Sequence, residues 1–197
     1  MAKAKRSTTV DNRREPLLDM AAELFAQKGY AGTSTRDIAK AVGMLPGSIY
    51  YHFKSKEEIL LAVYREGVSR FSLAIEQALE QAPADPWYRL EKACVAHVRV
   101  LLESGPYARI ITPEFIRSFP PDMRGELVAE RDRYEKQFEK LIAALPLKDA
   151  VDPWLFKAAL LGSLNWTLTW YHSGKYDPQT IAENFLSYFS GTLTPKA

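Results

Sequence analysis

Between Arg36 and Lys56 the sequence gathers groups suited to reading a polyanion. Gly47, Ser48, Tyr50, Tyr51 and His52 fall on one short segment, Lys56 lies just after it, and Thr35 and Arg36 open the segment before it. A glycine lets backbone come close to a phosphate or base. A serine hydroxyl bonds a base edge or a phosphate oxygen, and a tyrosine offers both a flat face for a thymine methyl and a hydroxyl for phosphate. Lys56 in the first turn of a helix can meet the phosphate backbone alongside that helix's amides. This is chemistry of recognition. The chain has no phosphate loop, nucleophile elbow or metal-ligand cluster, and its three histidines, His52, His97 and His172, are far apart in sequence. No catalytic residue, metal or cofactor is expected.

The elements that must position these groups are helices. Apolar residues recur at three and four rather than two, which predicts an all-α protein of about nine helices. A helix over 13–28, capped by Asp11 or Asn12, turns Leu17, Ala21, Leu24 and Phe25 inward and stops at Gly29. Ser34 or Thr35 caps a short helix over 36–42 with Ile38, Ala39 and Val42 inward. Gly43 permits the positive φ of a tight turn. Pro46 then opens a second short helix to about Phe53, held by Ile49 and Phe53, so that Gly47, Ser48, Tyr51 and His52 face outward. Helix, glycine turn and helix together make a helix-turn-helix. Ser55 with Glu58 reads as a capping box for a long helix over 56–81. Prolines punctuate further helices over 86–104, 107–118, 121–145, 153–172 and 178–191. The expected division is residues 1–55, a loose basic arm and the helix-turn-helix, and residues 56–197, a second helical domain.

Charge follows the same division. Residues 1–56 carry ten Lys and Arg against five Asp and Glu, and the remainder sixteen against nineteen. The near-neutral total hides a basic front end suited to a polyanion. The single cysteine, Cys94, excludes an internal disulfide and reads as a packed thiol. The basic start, with Lys3, Lys5 and Arg6, has no apolar run behind it and does not read as a signal peptide. The longest uncharged stretch, Ala158–Gly174, is 17 residues and too polar for a bilayer. A cytoplasmic protein with no membrane partner is expected.

The helix-turn-helix resembles that of the TetR/AcrR family of one-component repressors. The matching residues are Thr35–Ala39, Gly43, Gly47–Phe53 and Lys54–Leu60, with Ala21–Phe25, Gly29, Tyr30 and Thr33 like the family's first helix. The resemblance spans about residues 13–65. It implies that Pro46–Phe53 is the recognition helix and that Thr35, Arg36, Gly47, Ser48, Tyr50, Tyr51, His52 and Lys56 touch DNA. It also implies a homodimer on a near-palindromic operator, released by a small-molecule effector. One departure is the turn Met44-Leu45-Pro46, where the family more often has valine and a small polar residue; Leu45 cannot cap through its side chain.

In the second domain, a small-residue stripe (Ala158, Ala159, Gly162, Asn165) and an apolar stripe (Ile181, Phe185, Phe189) suit an intersubunit four-helix bundle. His97, Arg99, Tyr107, Arg109, Phe115, Phe138, Trp166 and Trp170 can line a mostly apolar effector pocket. Further runs, Asn165–Thr167 with Trp170–Gly174 and Glu114–Ser118 with Arg131–Glu135, look like members that sense acyl-CoA thioesters, which implies an acyl-CoA or lipid-like effector, with an aromatic or hydrophobic drug-like compound as the next candidate. The alternative from another class is a DNA-binding scaffold that answers to a protein partner.

Overall fold

The computed structural model describes residues 13–117 and 119–193; the expected basic arm over 1–10 and the caps Asp11 and Asn12 lie outside the described residues. Among the described residues the regular structure is all helical. It comprises α1 (Arg14–Lys28), α2 (Thr35–Ala41), a 3₁₀ helix η1 (Pro46–Tyr51), α3 (Lys56–Glu80), α4 (Pro86–Glu103), α5 (Pro106–Ile110), α6 (Pro113–Arg117), α7 (Pro121–Ala143), α8 (Pro153–Trp170) and α9 (Pro178–Leu193). No described helix is long and apolar enough to cross a membrane.

Two elements differ from expectation. The single helix expected over 107–118 is two short ones, because Pro113 has no N–H with which to continue the ladder and Thr112 starts afresh, its Oγ1 accepting from the Phe115 N–H at 3.3 Å. The segment opened by Pro46 is 3₁₀ rather than α. Its bonds run i to i+3, from the Ser48 N–H to the Leu45 carbonyl (2.8 Å) and from the His52 N–H to the Ile49 carbonyl (3.0 Å). Six residues that include a proline and a glycine, without a side-chain cap, have little with which to nucleate an α-helix.

The caps also shift. The complete capping box stands at α2, where Ser34 Oγ accepts from the Asp37 N–H at 3.1 Å and Asp37 Oδ2 accepts from the Ser34 N–H at 2.9 Å. The Ser34 hydroxyl, donating to Asp37 Oδ2 at 2.6 Å, and then the Ser34 N–H hold the Asp37 carboxyl below its ordinary pKa. At α3 only half the box forms. Ser55 Oγ accepts from the Glu58 N–H, but the Glu58 carboxylate takes the N–H of Lys54, one residue before the cap. Gly43 adopts φ 66°, which a side chain would strain, and lets the Met44 N–H close on the Ala39 carbonyl at 2.8 Å.

Two apolar clusters form the core, and α3 runs through both. The first joins Leu17, Ala21, Phe25, Ile38, Ala39, Ile49 and Phe53 to Ile59, Leu60 and Val63 of α3. It does not stop at residue 55, since Tyr107, Ile110, Ile116, Phe119 and Leu127 belong to it. The second centres on Phe71 and Ile75 of α3 with Leu90, Cys94, Phe138, Leu160 and Leu164. Each large side chain buried this way is worth about 1.5–3 kcal/mol. Desolvation and then the nearby Glu91 carboxylate push the buried Cys94 thiol up in pKa, the opposite of what an activated thiolate needs. We refer to α1, α2 and η1 as the head and to α4–α9 as the body. The 25 residues of α3, roughly 37 Å at 1.5 Å per residue, join them.

Candidate functional site

The head presents η1 outward. Ile49 and Phe53 anchor it in the first cluster, while Tyr51 is 87% and Tyr50 56% exposed. Exposed Gly47 and Arg36 and half-buried Ser48 and His52 accompany them. Tyr50 Oη stands 3.4 Å from Thr35 Oγ1, which ties η1 to the start of α2. Beside them an open polar cleft of about 510 Å³ runs between the N-termini of α2 and α3, lined by Thr35, Tyr50, Lys54 and Lys56 among others. Leu45, 77% exposed, lies at the start of η1 and caps nothing through its side chain.

Lys56 reaches into the head. Its Nζ donates to the carbonyls of Tyr30 (2.9 Å) and Thr33 (3.0 Å) and sits 4.0 Å from the centre of the Tyr30 ring. Tyr30 Oη donates to Glu57 at 2.5 Å, and burial with that carboxylate beside it raises the phenol's pKa. The ammonium therefore pins the turn after α1 to the start of α3.

The body holds an enclosed cavity of about 60 Å³ between α3, α4, α7 and α8. Tyr64, Val68 and Phe71 line it from α3, His97 and Leu101 from α4, Arg131, Tyr134 and Glu135 from α7, and Leu161 and Asn165 from α8. His97 is central. Burial depresses its pKa to about 4, so the ring is neutral at pH 7. Tyr134 Oη lies 2.5 Å from Nδ1 and Asn165 Oδ1 lies 3.0 Å from Nε2. With the proton on Nε2, Tyr134 donates and Asn165 accepts, and both ring nitrogens are satisfied. An open cleft of about 880 Å³ lies alongside, between the end of α1, the α5–α6 corner and α8, and holds Arg109, Phe115 and Trp166. Thr112 and Asn165 line both spaces.

Head and body are also bonded directly. Asp19 of α1 accepts from Tyr107 Oη at 2.8 Å and from Arg70 of α3 at 3.3 Å, and the Arg70 guanidinium lies 4.0 Å over the Tyr107 ring.

Two family models match the chain. "Bacterial regulatory proteins, tetR family" covers residues 17–63, and "Tetracyclin repressor-like, C-terminal domain" covers residues 83–193. The chain belongs to the TetR family. Over 195 residues it is 25% identical to the transcriptional repressor KstR2 of Mycobacterium tuberculosis, a match spanning 94% of each chain. Its fold is like that of the TetR regulator PfmR from Thermus thermophilus (TM-score 0.71, 33% identity, 87% of this chain and 94% of that one). It is also like AibR, solved with isovaleryl coenzyme A and operator DNA (TM-score 0.74, 27% identity, 89% and 97%). This is a family of DNA-binding transcriptional regulators, not of enzymes.

Within this TetR chain the structure sorts the expected site residues. Thr35, Arg36, Gly47, Ser48, Tyr50, Tyr51 and His52 share the head's outer side; Lys56 is nearby, with its ammonium turned inward. Of the expected pocket residues, His97 lines the enclosed cavity, and Arg109, Phe115 and Trp166 the open cleft. Four lie elsewhere. Arg99 is exposed on α4, as a solvated guanidinium prefers. Tyr107 is engaged with Asp19. Phe138 is core beneath His97, with ring centres 6.0 Å apart, and Trp170 stands against Phe185 at 6.3 Å. Of the expected interface residues, Ala158, Ala159 and Gly162 are exposed on α8, together with Trp154 and Leu155, which the spacing argument passed over. Asn165 turns to His97 and Ile181 is buried in its own core, because α9 puts that residue against α4 and α8. Phe185 and Phe189 are half-buried. Tyr64, Arg131, Tyr134 and Glu135 were not anticipated as cavity residues. The Arg131–Glu135 run carries only a resemblance in the sequence, and nothing local distinguishes Tyr64 from a core tyrosine.

Proposed function

We propose that this TetR-family chain is a cytoplasmic repressor that binds a near-palindromic operator as a homodimer and is released by a small hydrophobic or acyl-CoA-type effector. One observation carries the coupling: Tyr64, Val68 and Phe71 line the enclosed cavity from α3, the helix whose first turns build the head. An effector that prefers a tilted α3 moves the head, and only such a difference in affinity between two states can release DNA. The exposed α8 face of Trp154, Leu155, Ala158, Ala159 and Gly162 suits pairing with a second copy, and Phe185 and Phe189 flank it from α9. Two heads then sit in successive major grooves, roughly 34–36 Å apart. Base contacts fall to Gly47, Ser48, Tyr50, Tyr51 and His52, and phosphate contacts to Thr35, Arg36 and the start of α3 at Lys56. The likeness to AibR, solved with isovaleryl coenzyme A, supports a thioester whose acyl group enters the enclosed cavity while its larger polar part occupies the cleft of Arg109, Phe115 and Trp166.

The test is a footprint on DNA upstream of the protein's own gene, against scrambled DNA at near-physiological salt. Isovaleryl-CoA, other acyl-CoA thioesters or free CoA are then added. A protected two-fold site of about two helical turns, lost with a thioester and retained with CoA, is the expected result. Salt-sensitive binding to both DNAs alike overturns the operator reading.

A further inference from the structure

Tyr64 is fully buried, lines the enclosed cavity, and its hydroxyl has no hydrogen-bond partner among the described residues. A buried hydroxyl left so is costly, and a protein core tolerates it where something else completes it. The other polar groups around the cavity are engaged. His97, Tyr134 Oη and Asn165 Oδ1 satisfy one another. Arg131 is bonded to Asp132 (2.8 Å) and Glu135 (3.4 Å), and Glu135 is also held by Lys157 at 3.0 Å. The charges are therefore compensated, and no lone cation awaits a carboxylate. Thr112 Oγ1 donates to the Arg109 carbonyl at 2.9 Å and accepts from the Phe115 N–H at 3.3 Å, and the remaining wall is apolar: Val68, Phe71, Leu101, Ala108, Ile111 and Leu161.

We propose that the cavity selects an effector whose buried end is small and apolar but carries one uncharged oxygen, a hydroxyl or a ketone, and that Tyr64 reads this oxygen by donating a hydrogen bond to it. The proposal rests on the effector reading above and adds what the acyl end must contain. Desolvation raises the Tyr64 pKa, which keeps the phenol protonated and a donor. Because Tyr64 is part of α3, the bond forms on the element that carries the head, where effector contacts can distinguish two positions of the helix. An acyl end without that oxygen fills nearly the same volume and leaves the hydroxyl unsatisfied.

The test compares 3-hydroxybutyryl-CoA with butyryl-CoA by titration calorimetry on the full-length dimer, wild type and Tyr64→Phe. Wild type should favour the hydroxylated thioester about tenfold in Kd, the worth of one buried hydrogen bond, and the ratio should fall to near one in Tyr64→Phe. Without ligand, Tyr64→Phe should melt no lower than wild type, since it removes an orphaned group. A lower melting temperature means the hydroxyl already has a partner, and overturns the proposal. So does equal binding of the two thioesters to wild type, which leaves the hydroxyl to a retained water, or a preference that survives in Tyr64→Phe. If neither thioester binds wild type, the acyl-CoA reading itself fails and this inference falls with it.

Discussion

Head and body treat their buried polar groups differently. In the head, Thr33 Oγ1 donates within reach of the carbonyls of Leu24 (3.1 Å) and Gly29 (2.9 Å), Lys56 donates to two further carbonyls, and Tyr30 to Glu57. The buried side-chain atoms without partners among the described residues, Tyr64 Oη, Trp87 Nε1 and Thr167 Oγ1, lie on α3, α4 and α8. The head bonds these polar groups internally and turns the exposed rings of Tyr50 and Tyr51 outward. The body leaves Trp87 Nε1 and Thr167 Oγ1 without partners among the described residues, and Tyr64, whose Oη is the third such atom, belongs to the head's core cluster while lining the body's cavity from α3. Because Tyr107, Ile110, Phe119 and Leu127 complete the head's core from the body side, neither shape is independent of the other.

The largest expected effect tests that dependence. Ile49→Ala removes a fully buried anchor of η1 and should cost about 2–4 kcal/mol. All four tryptophans, Trp87, Trp154, Trp166 and Trp170, lie in the body, so their fluorescence reports that half alone. In urea the fluorescence and the helical circular dichroism should shift to lower midpoints together. Fluorescence that keeps its wild-type midpoint would show that the head unfolds by itself and that the shared core carries no coupling.

Next is the body's own weak point. With His97 at about pKa 4 in the fold against about 6.5 unfolded, the unfolded chain binds the extra proton between those values. The stabilisation from the neutral ring is complete above about pH 6.5 and is lost as pH falls towards 4, at most about 3 kcal/mol. Urea midpoints from pH 7 to 4.5 should fall less steeply for His97→Gln than for wild type. Equal slopes would mean that His97 protonates freely within the fold.

The same comparison explains what was legible in the sequence. The head's signals are local: Gly43 in its turn, Ser34 three residues before Asp37, Pro46 opening η1. Each is decided by neighbours within a few residues, so the helix-turn-helix and its outward tyrosines could be placed. Where a side chain's partner was not legible, that partner is distant in sequence. The ammonium of Lys56 is claimed by carbonyls 23 and 26 residues away, and Tyr107 by Asp19, 88 residues away. Helical periodicity identified the apolar and small-residue stripes of α8 and α9 but not which side each faces, so Ile181 and Asn165 were assigned outward while Trp154 and Leu155 were passed over.

Tyr51 and Lys56 sharpen the contrast within the head. Tyr51→Ala should change stability by no more than about 0.5 kcal/mol, since the ring is exposed, while weakening operator binding about tenfold and scrambled-DNA binding less. Lys56→Met removes two hydrogen bonds and should lower stability by about 1–2 kcal/mol and weaken both DNAs. Gel shifts beside thermal melts decide. A Lys56→Met protein as stable as wild type, with only its salt slope flattened, would make Lys56 a phosphate contact instead of a pin.

The smallest effect falls where head and body meet on α3. A Cβ at Gly67 would stand 3.0 Å from Ile111 Cγ2 and 3.6 Å from the Tyr107 ring. Alanine favours the helix by about 1 kcal/mol, and the crowding opposes it, so Gly67→Ala should leave stability within about 1 kcal/mol of wild type. Its signature is functional. Pressing α3 away from α5 strains the corner that holds Tyr107 to Asp19, and should lower effector-free operator affinity a few-fold, as partial release does. A gel shift without effector measures this. If affinity is unchanged and the melting temperature rises, Ile111 has simply yielded, and the α3–α5 contact does not transmit the position of α3 to the head.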